Sequence, residues 1–236
     1  MADWAARRFW KTATCVPEGQ GFAIHLDARP LRTPAKTPVI LPTLAMAEAV
    51  AAEWQAQSDR IDPLSMPNTR SANAALDKVA PQRAAVEAMI AEYCGTDLLC
   101  YRAASPDALI ALQAQRWDPL LDWARMAHDA PLTVTTGVMP VAQPPESLAA
   151  LTGAMAAMSA FGIAGFHDLV SLSGSYVLAL AVAQGQVAPE PGWTVSRTDE
   201  DWQAEQWGRD EDAEEKAALK REAFVHAHRF MTLANR

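Results

Sequence analysis

Val39-Ile40-Leu41-Pro42-Thr43-Leu44-Ala45-Met46-Ala47-Glu48-Ala49-Val50-Ala51-Ala52-Glu53-Trp54 contains the point at which this chain changes period. Upstream of it, Phe22, Ile24 and Leu26 alternate with Ala23 and His25, the period-two signature of a strand with one buried face. Lys11-Thr12-Ala13-Thr14-Cys15-Val16 is rich in β-formers, and Pro17-Glu18-Gly19-Gln20-Gly21 reads as a turn. Asp27-Ala28-Arg29-Pro30 makes a second turn, and Pro34 to Pro38 a third break before Val39. Residues 10–41 are therefore expected to form a small antiparallel sheet. Pro30, Pro34, Pro38 and Pro42 suit its edges and connections, because proline cannot donate to a ladder. From Thr43 onward, Leu44, Ala47, Ala51 and Trp54 fall three or four apart, one apolar stripe on a helix running to about Gln57.

Ser58-Asp59-Arg60-Ile61-Asp62-Pro63 breaks that helix. The reading is an α+β chain: a β-rich N-terminal domain with one helix over residues 1–62, then an all-helical C-terminal domain over 63–236. The spacing predicts helices over 67–79, 81–94, 106–128, 144–160, 164–184, 198–207 and 210–233. Leu132-Thr133-Val134-Thr135-Thr136 is expected to be an isolated extended piece. The helix over 164–184 carries Gly174, Ala179, Ala181, Ala183 and three serines, so it suits the crowded centre of a bundle. Thr198 before Asp199-Glu200-Asp201 reads as a hydroxyl cap with first-turn acids, and Gly208 as the stop after Trp207. The last helix begins in acids and carries Lys220, Arg221 and Arg229 later, the sense the helix dipole favours.

The composition narrows the function. Of 236 residues, 50% are hydrophobic, enough for a substantial core. Lys and Arg total 20 against 28 Asp and Glu, a net charge of −8. That balance disfavours nucleic acid and anionic membrane surfaces, which demand clustered cations. Nine acids and one base, Arg209, lie between Asp199 and Glu215, so the whole net charge sits in that segment. A cationic partner would feel it first. Cys15, Cys94 and Cys100 match neither a zinc spacing nor a disulfide framework and read as thiols. Leu169–Ala183, 15 residues with several serines, is too short and polar to span a bilayer. Met1-Ala2-Asp3-Trp4-Ala5-Ala6-Arg7-Arg8 has no secretory apolar core, and Asp3 argues against a transit peptide. A soluble protein without membrane insertion is expected.

Little in the sequence asks for chemistry. Gly19-Gln20-Gly21 lacks the third glycine and following helix of a dinucleotide loop, and no phosphate-loop pattern is present. His226 and His228, two apart on a helix, point about 200° from each other and cannot share a metal. Ser173-Gly174-Ser175 lacks the frame of a nucleophile elbow and reads better as helix packing. His167 and Asp168 read as polar-contact residues or as a pocket pair, and His167 with Asp97 is a second conceivable acid–base pair. No cofactor and no metal are expected. Trp202 and Trp207, inside the acidic stretch, either dock their helix onto the bundle or form a recognition edge, and spacing alone leaves both readings open.

Several segments taken in order are specific. They are Leu26-Asp27-Ala28-Arg29-Pro30-Leu31-Arg32-Thr33-Pro34, Ala49-Val50-Ala51-Ala52-Glu53-Trp54 and Met66-Pro67-Asn68-Thr69-Arg70-Ser71-Ala72-Asn73. Tyr93-Cys94-Gly95-Thr96-Asp97-Leu98-Leu99-Cys100-Tyr101-Arg102, Trp117-Asp118-Pro119-Leu120-Leu121 and Phe161-Gly162-Ile163-Ala164-Gly165-Phe166 follow. Ser171-Leu172-Ser173-Gly174-Ser175 and Glu205-Gln206-Trp207-Gly208 close the series. Over nearly its whole length the chain resembles the assembly-chaperone family that binds the α subunit of the F1 sector of ATP synthase in mitochondria and alphaproteobacteria. Asn68 departs from the pattern, where an apolar residue is expected.

The resemblance implies a small β-containing domain before a helical one, no catalysis and no cofactor. It implies an unassembled F1 α subunit as partner, its β-facing surface shielded until β displaces the chaperone, and a monomer when free. It places the protein in a bacterial cytoplasm, or in the mitochondrial matrix for a mature eukaryotic form. Carried over residue by residue, Glu205 is the leading partner-binding candidate, with Trp207 and Trp202 shaping its edge and Asp168 a further contact. Arg70 and Asp97 read as structural ties. The reading of another class is a small helical enzyme or ligand-binding protein with a His167/Asp168 or Asp97/Tyr101 pocket.

Overall fold

The computed structural model describes residues 7–235. The N-terminal stretch Met1–Ala6, read above for targeting, lies outside the described residues. The described chain forms two compact units: one runs through Arg83 and is joined by Ser159–Gly165 and by the stretch from Arg229, and the other comprises Ala84–Met158 and Phe166–His228.

In the first unit, β1 (Ala13–Glu18) and β2 (Gly21–Leu26) form an antiparallel hairpin closed by Gly19 and Gln20, with Glu18 opposite Gly21. Gly19 has φ +60, a conformation glycine adopts freely. The short β3 (Arg29–Pro30) and β4 (Ile40–Leu41) both pair with the other edge of β2, so the expected small antiparallel sheet is present. β2 is its inner strand, which corrects the expectation of one buried face. Ala23, Ile24 and Leu26 are all buried and Phe22 is half-buried, because an inner strand is covered on both faces. Gly21 permits the β2–β4 approach: a Cβ there would lie 2.6 Å from the Leu41 carbonyl oxygen.

Helix α1 (Leu44–Gln55) starts where the period changes, with the Thr43 hydroxyl accepting the Met46 N–H at 3.1 Å. It buries Met46, Ala47, Val50 and Ala51, whereas Leu44, placed on the stripe by spacing, is exposed. Trp10 is buried against Trp54, their rings 5.2 Å apart. The Arg8 guanidinium donates to the carbonyls of Trp10, Lys11, Gln55 and Gln57, tying the strand entry to the end of α1. After Pro67 the two expected helices merge into one winding course. α2 (Pro67–Ala74) passes through a π-turn (Ala75–Val79) and a 3-10 turn (Ala80–Gln82) into α3 (Arg83–Gly95). Pro81 carries no N–H for the ladder, and the local change of winding accommodates it.

The second unit centres on α7 (Tyr176–Ala183), in which every residue from Tyr176 to Val182 is buried. The single helix expected over 164–184 is two helices, α6 (Ala160–Ser173) and α7. Gly174 separates them at φ +71, and the Ser175 hydroxyl then caps α7 by accepting the Leu178 N–H at 3.0 Å. Apolar residues on both sides of the break hid it from periodicity.

Around α7 stand α4 (Asp107–His128), α5 (Pro145–Thr152), α8 (Pro189–Ser196), α9 (Thr198–Trp207) and the long α10 (Glu211–Ala234). α8 was not among the expected helices. Its Gly192 lies where a Cβ would come within 2.8 Å of Val182, so the helix packs tightly through its smallest residue. The extended piece near 132–136 is not isolated: β6 (Thr135–Thr136) pairs in parallel with β5 (Tyr101–Arg102). Thr198 is not the cap of α9; it is fully buried, and its hydroxyl donates to the Val195 carbonyl at 2.8 Å. Among the described residues no helix is long and apolar enough to cross a membrane.

Candidate functional site

Most of the segments that set this sequence apart turn out to hold the fold. The Glu53 carboxylate, on α1, accepts four hydrogen bonds at the start of α2. They come from the Asn68 N–H at 2.7 Å and side-chain amide at 2.8 Å, and from the Thr69 N–H at 2.8 Å and hydroxyl at 2.7 Å. Asn68, the departure noted above, is thus one of the donors to Glu53. Asp97 is fully buried and receives the Leu99 N–H at 3.0 Å and the Val177 N–H at 2.9 Å. Burial pushes its carboxyl up to about 6, against the pull of those donors. Arg102 donates to the Leu99 carbonyl at 2.9 Å and to Asp118 at 2.8 Å, and its guanidinium lies 5.3 Å from the Trp117 ring. Arg70, in contrast, is exposed on α2.

The residues of the enzyme-like reading are arranged differently from a catalytic pocket. His167 bonds its own neighbour, with Nδ1 3.1 Å from the Asp168 carboxylate, and both side chains are half-exposed. The two oxygens of Asp97 are occupied by backbone donors. Ser173 donates to the Leu169 carbonyl at 2.7 Å within its helix. Burial pushes the Cys94 and Cys100 thiols up to about 12, so neither is poised as a thiolate. Among the described residues, no group of three or more His, Cys, Asp or Glu side chains could hold a metal.

What remains is the surface built by α9. About a turn and a half of it presents Trp202, Glu205 and, round the side, Trp207. Trp202 is half-buried, Glu205 is exposed, and Trp207 is 80% exposed, so Trp207 does not dock its helix onto the bundle. Gly208 ends the helix at φ +99, donating its N–H to the Ala204 carbonyl, as its place after Trp207 suggested.

On one side of α9, a cleft of 470 Å³ is lined by Ala108, Ala111, Leu112, Gln115 and Arg116 of α4 and by Asp201, Trp202 and Glu205. On the other side, an open cleft of 840 Å³ separates α9 from α10, lined by Ala204, Glu205, Trp207, Ala213 and Ala217 among others. Glu205 stands on the ridge between them. The structure thus gathers Trp202, Glu205 and Trp207 at one edge. Asp168, on α6, lines neither cleft.

The charges of this edge are mostly satisfied internally. Arg197 pairs with Glu200 at 3.3 Å and Asp201 at 3.7 Å, Arg209 with Glu214 at 2.8 Å, and Gln113 donates to Asp199 at 2.7 Å. Asp210 accepts the Ala213 N–H at the start of α10. Glu205 is exposed and makes no hydrogen bond or ion pair among the described residues. Sequence reasoning missed the α10 wall of the larger cleft, Lys216 and Lys220 with Ala213 and Ala217. The signal available was the arrangement of Ala213, Ala217 and Lys220 on one helical face. α10 does begin in acids, but Lys220 and Arg221 fall mid-helix and its last turn carries no base, so dipole pairing operates only at its start.

A family model described as the ATP12 chaperone protein matches residues 7–125. The mitochondrial protein atp12 of Schizosaccharomyces pombe is 24% identical over 225 residues, spanning 89% of this chain and 76% of that protein. The crystal structure of Atp12 from Paracoccus denitrificans is 51% identical with a TM-score of 0.94, covering 98% of this chain and 100% of the other. The Atu1473 protein of Agrobacterium tumefaciens is 40% identical with a TM-score of 0.92, covering 98% and 86%.

Proposed function

Because the chain belongs to the ATP12 chaperone family, we propose that it is an assembly chaperone for the F1 sector of ATP synthase that holds the unassembled α subunit. It shields the β-facing surface of α and yields it when β arrives. An unpartnered ring subunit exposes an apolar interface that otherwise aggregates. A chaperone for it needs only to cover that surface with an affinity below that of the final interface. Binding performs this task without any bond being made or broken. The reading carries with it a monomer when free, located in a bacterial cytoplasm or a mitochondrial matrix.

The observation that supports it is the α9 edge: a carboxylate, Glu205, without an ion-pair partner among the described residues, beside an indole, Trp207, that is 80% exposed. Tryptophan is among the residue types that most often anchor interfaces. In this reading Glu205 meets an arginine or a polar backbone group of the client. Trp202 and Trp207 flank it, and Asp168 is an outlying contact on α6.

Co-expression with the F1 α subunit tests the reading. Soluble α that co-purifies with this chain and is released by β is the expected result. Insoluble α beside folded, unbound chaperone would overturn it.

A further inference from the structure

Helix α10 has two halves in different surroundings. Phe224 and Ala227 are buried, while Glu211–Ala223 is exposed throughout except for half-buried Ala217. Ala213, Ala217, Lys220, Phe224 and Ala227 recur at intervals of four, three, four and three, which is the packing stripe of a helix. The stripe continues unbroken along the helix, but only its second half is covered. The first half forms one wall of the 840 Å³ cleft.

The two walls fit one kind of occupant. Ala204 of α9 faces Ala213 and Ala217 of α10, a floor of methyl groups that lets another backbone approach closely. Apart from the connecting residues Gly208–Asp210, both walls are helices, whose interior backbone groups are mutually bonded. An extended segment lying there would bury unpaired backbone N–H and C=O groups, whereas a helix brings its own satisfied. A helix about 10 Å across and rising 1.5 Å per residue would place about two turns in a space of 840 Å³.

The free charges also segregate. With Arg197, Arg209 and Asp210 engaged as described, Glu205 is the acid left without a partner on the α9 wall, and Lys216 and Lys220 make no ion pair among the described residues on the α10 wall. The geometry points to the α9/α10 cleft as a docking groove for an amphipathic helix of the client, its small-residue or apolar stripe on the alanine floor, a base towards Glu205 and acids towards Lys216 and Lys220. The proposal rests on the chaperone reading, which supplies the client. The exposed half of α10 is about 13 residues long, a length at which an unpacked helix is marginal in water, so the docked helix also orders the arm that receives it.

Hydrogen exchange on the full chain, alone and in the complex purified with co-expressed F1 α, tests this. Amides of residues 211–223 should exchange quickly in the free protein and at least about tenfold more slowly in the complex. Ala217→Trp fills the groove and should lower recovery of α about tenfold, while Ala217→Ser restores it. Should Ala217→Trp fail to fold, the exposed pair Lys216→Glu with Lys220→Glu serves the same purpose and should weaken the complex comparably. A wild-type complex with no added protection over 211–223, or one indifferent to both sets of variants, overturns the groove and leaves the chaperone reading standing. Failure of the wild-type chain to bind α removes the client, and the proposal falls with it. Ultracentrifugation showing a dimer of this chain that Ala217→Trp dissolves would give the groove to a second copy and overturn the proposal.

Discussion

Asp97 Oδ2 accepts the Val177 N–H at 2.9 Å, so a fully buried carboxylate contributed from 80 residues away sits at the start of the most buried helix of the second unit. Its other oxygen takes the Leu99 N–H at 3.0 Å. The protein thus joins the 3-10 turn Leu98–Cys100 to the start of α7 through a single carboxylate, and removes it from water to do so.

The pH consequence follows from the sign of the shift. Burial raises this carboxyl from 3.8 to about 6 in the folded protein, so the native state holds the proton more tightly than the unfolded chain. Its contribution to stability is fully present below pH 3.8 and is lost as pH rises through about 6, roughly 3 kcal/mol in all. Urea unfolding of wild type and Asp97→Asn, compared at several pH values, should show the variant's deficit largest near pH 4 and shrinking by pH 7.5. A deficit independent of pH would show that the carboxyl titrates normally.

Glu53 acts at the start of α2 as a cap supplied by another helix. Glu53→Ala leaves the Asn68 and Thr69 N–H groups without their acceptor, in a half-buried setting. The expected cost is about 2–4 kcal/mol in unfolding free energy, read by urea titration. A loss under about 1 kcal/mol would mean that water replaces the carboxylate readily.

Two glycines should respond to alanine for different reasons. Gly174→Ala meets nothing nearer than the Leu98 Cβ at 3.9 Å, so its cost is that of a left-handed residue, about 1–2 kcal/mol. Gly21→Ala places a methyl 2.6 Å from the Leu41 carbonyl oxygen, so β2 and β4 must separate and the loss should be larger. Thermal unfolding of the two variants side by side checks the order.

On the α9 edge the expectation is reversed, with function lost and stability kept. Glu205→Lys and Trp207→Ala alter exposed side chains, so each should unfold within about 0.5 kcal/mol of wild type. Recovery of soluble α should be abolished by the first and reduced about tenfold by the second. A collapse of stability in Glu205→Lys would make the residue structural and remove it from the interface.

Much of this organisation was legible along the chain. The hairpin was written in the alternation around Ile24, the first helix in the change of period at Thr43, and the end of α9 in Gly208. In each case the deciding interactions lie within a few residues, where backbone geometry and local spacing act. The ordered motifs also pointed to the family, although most of them proved to be struts. Glu53 reaches Asn68 and Thr69 across 15 and 16 residues, Asp97 reaches Val177 across 80, and Trp117 donates to the Val195 carbonyl across 78. Those partners could not be named from spacing.

For the candidate site, the sequence by itself determined that Trp202, Glu205 and Trp207 share one short helix in an acidic stretch, because helical pitch alone decides that. Only the tertiary structure decided which of them is exposed, and that α10 leaves half of its packing stripe uncovered. Whether a side chain meets water depends on whether a distant segment reaches it. For the half-buried Trp202 that segment is α4, which begins 95 residues earlier, and no periodicity within α9 encodes its position.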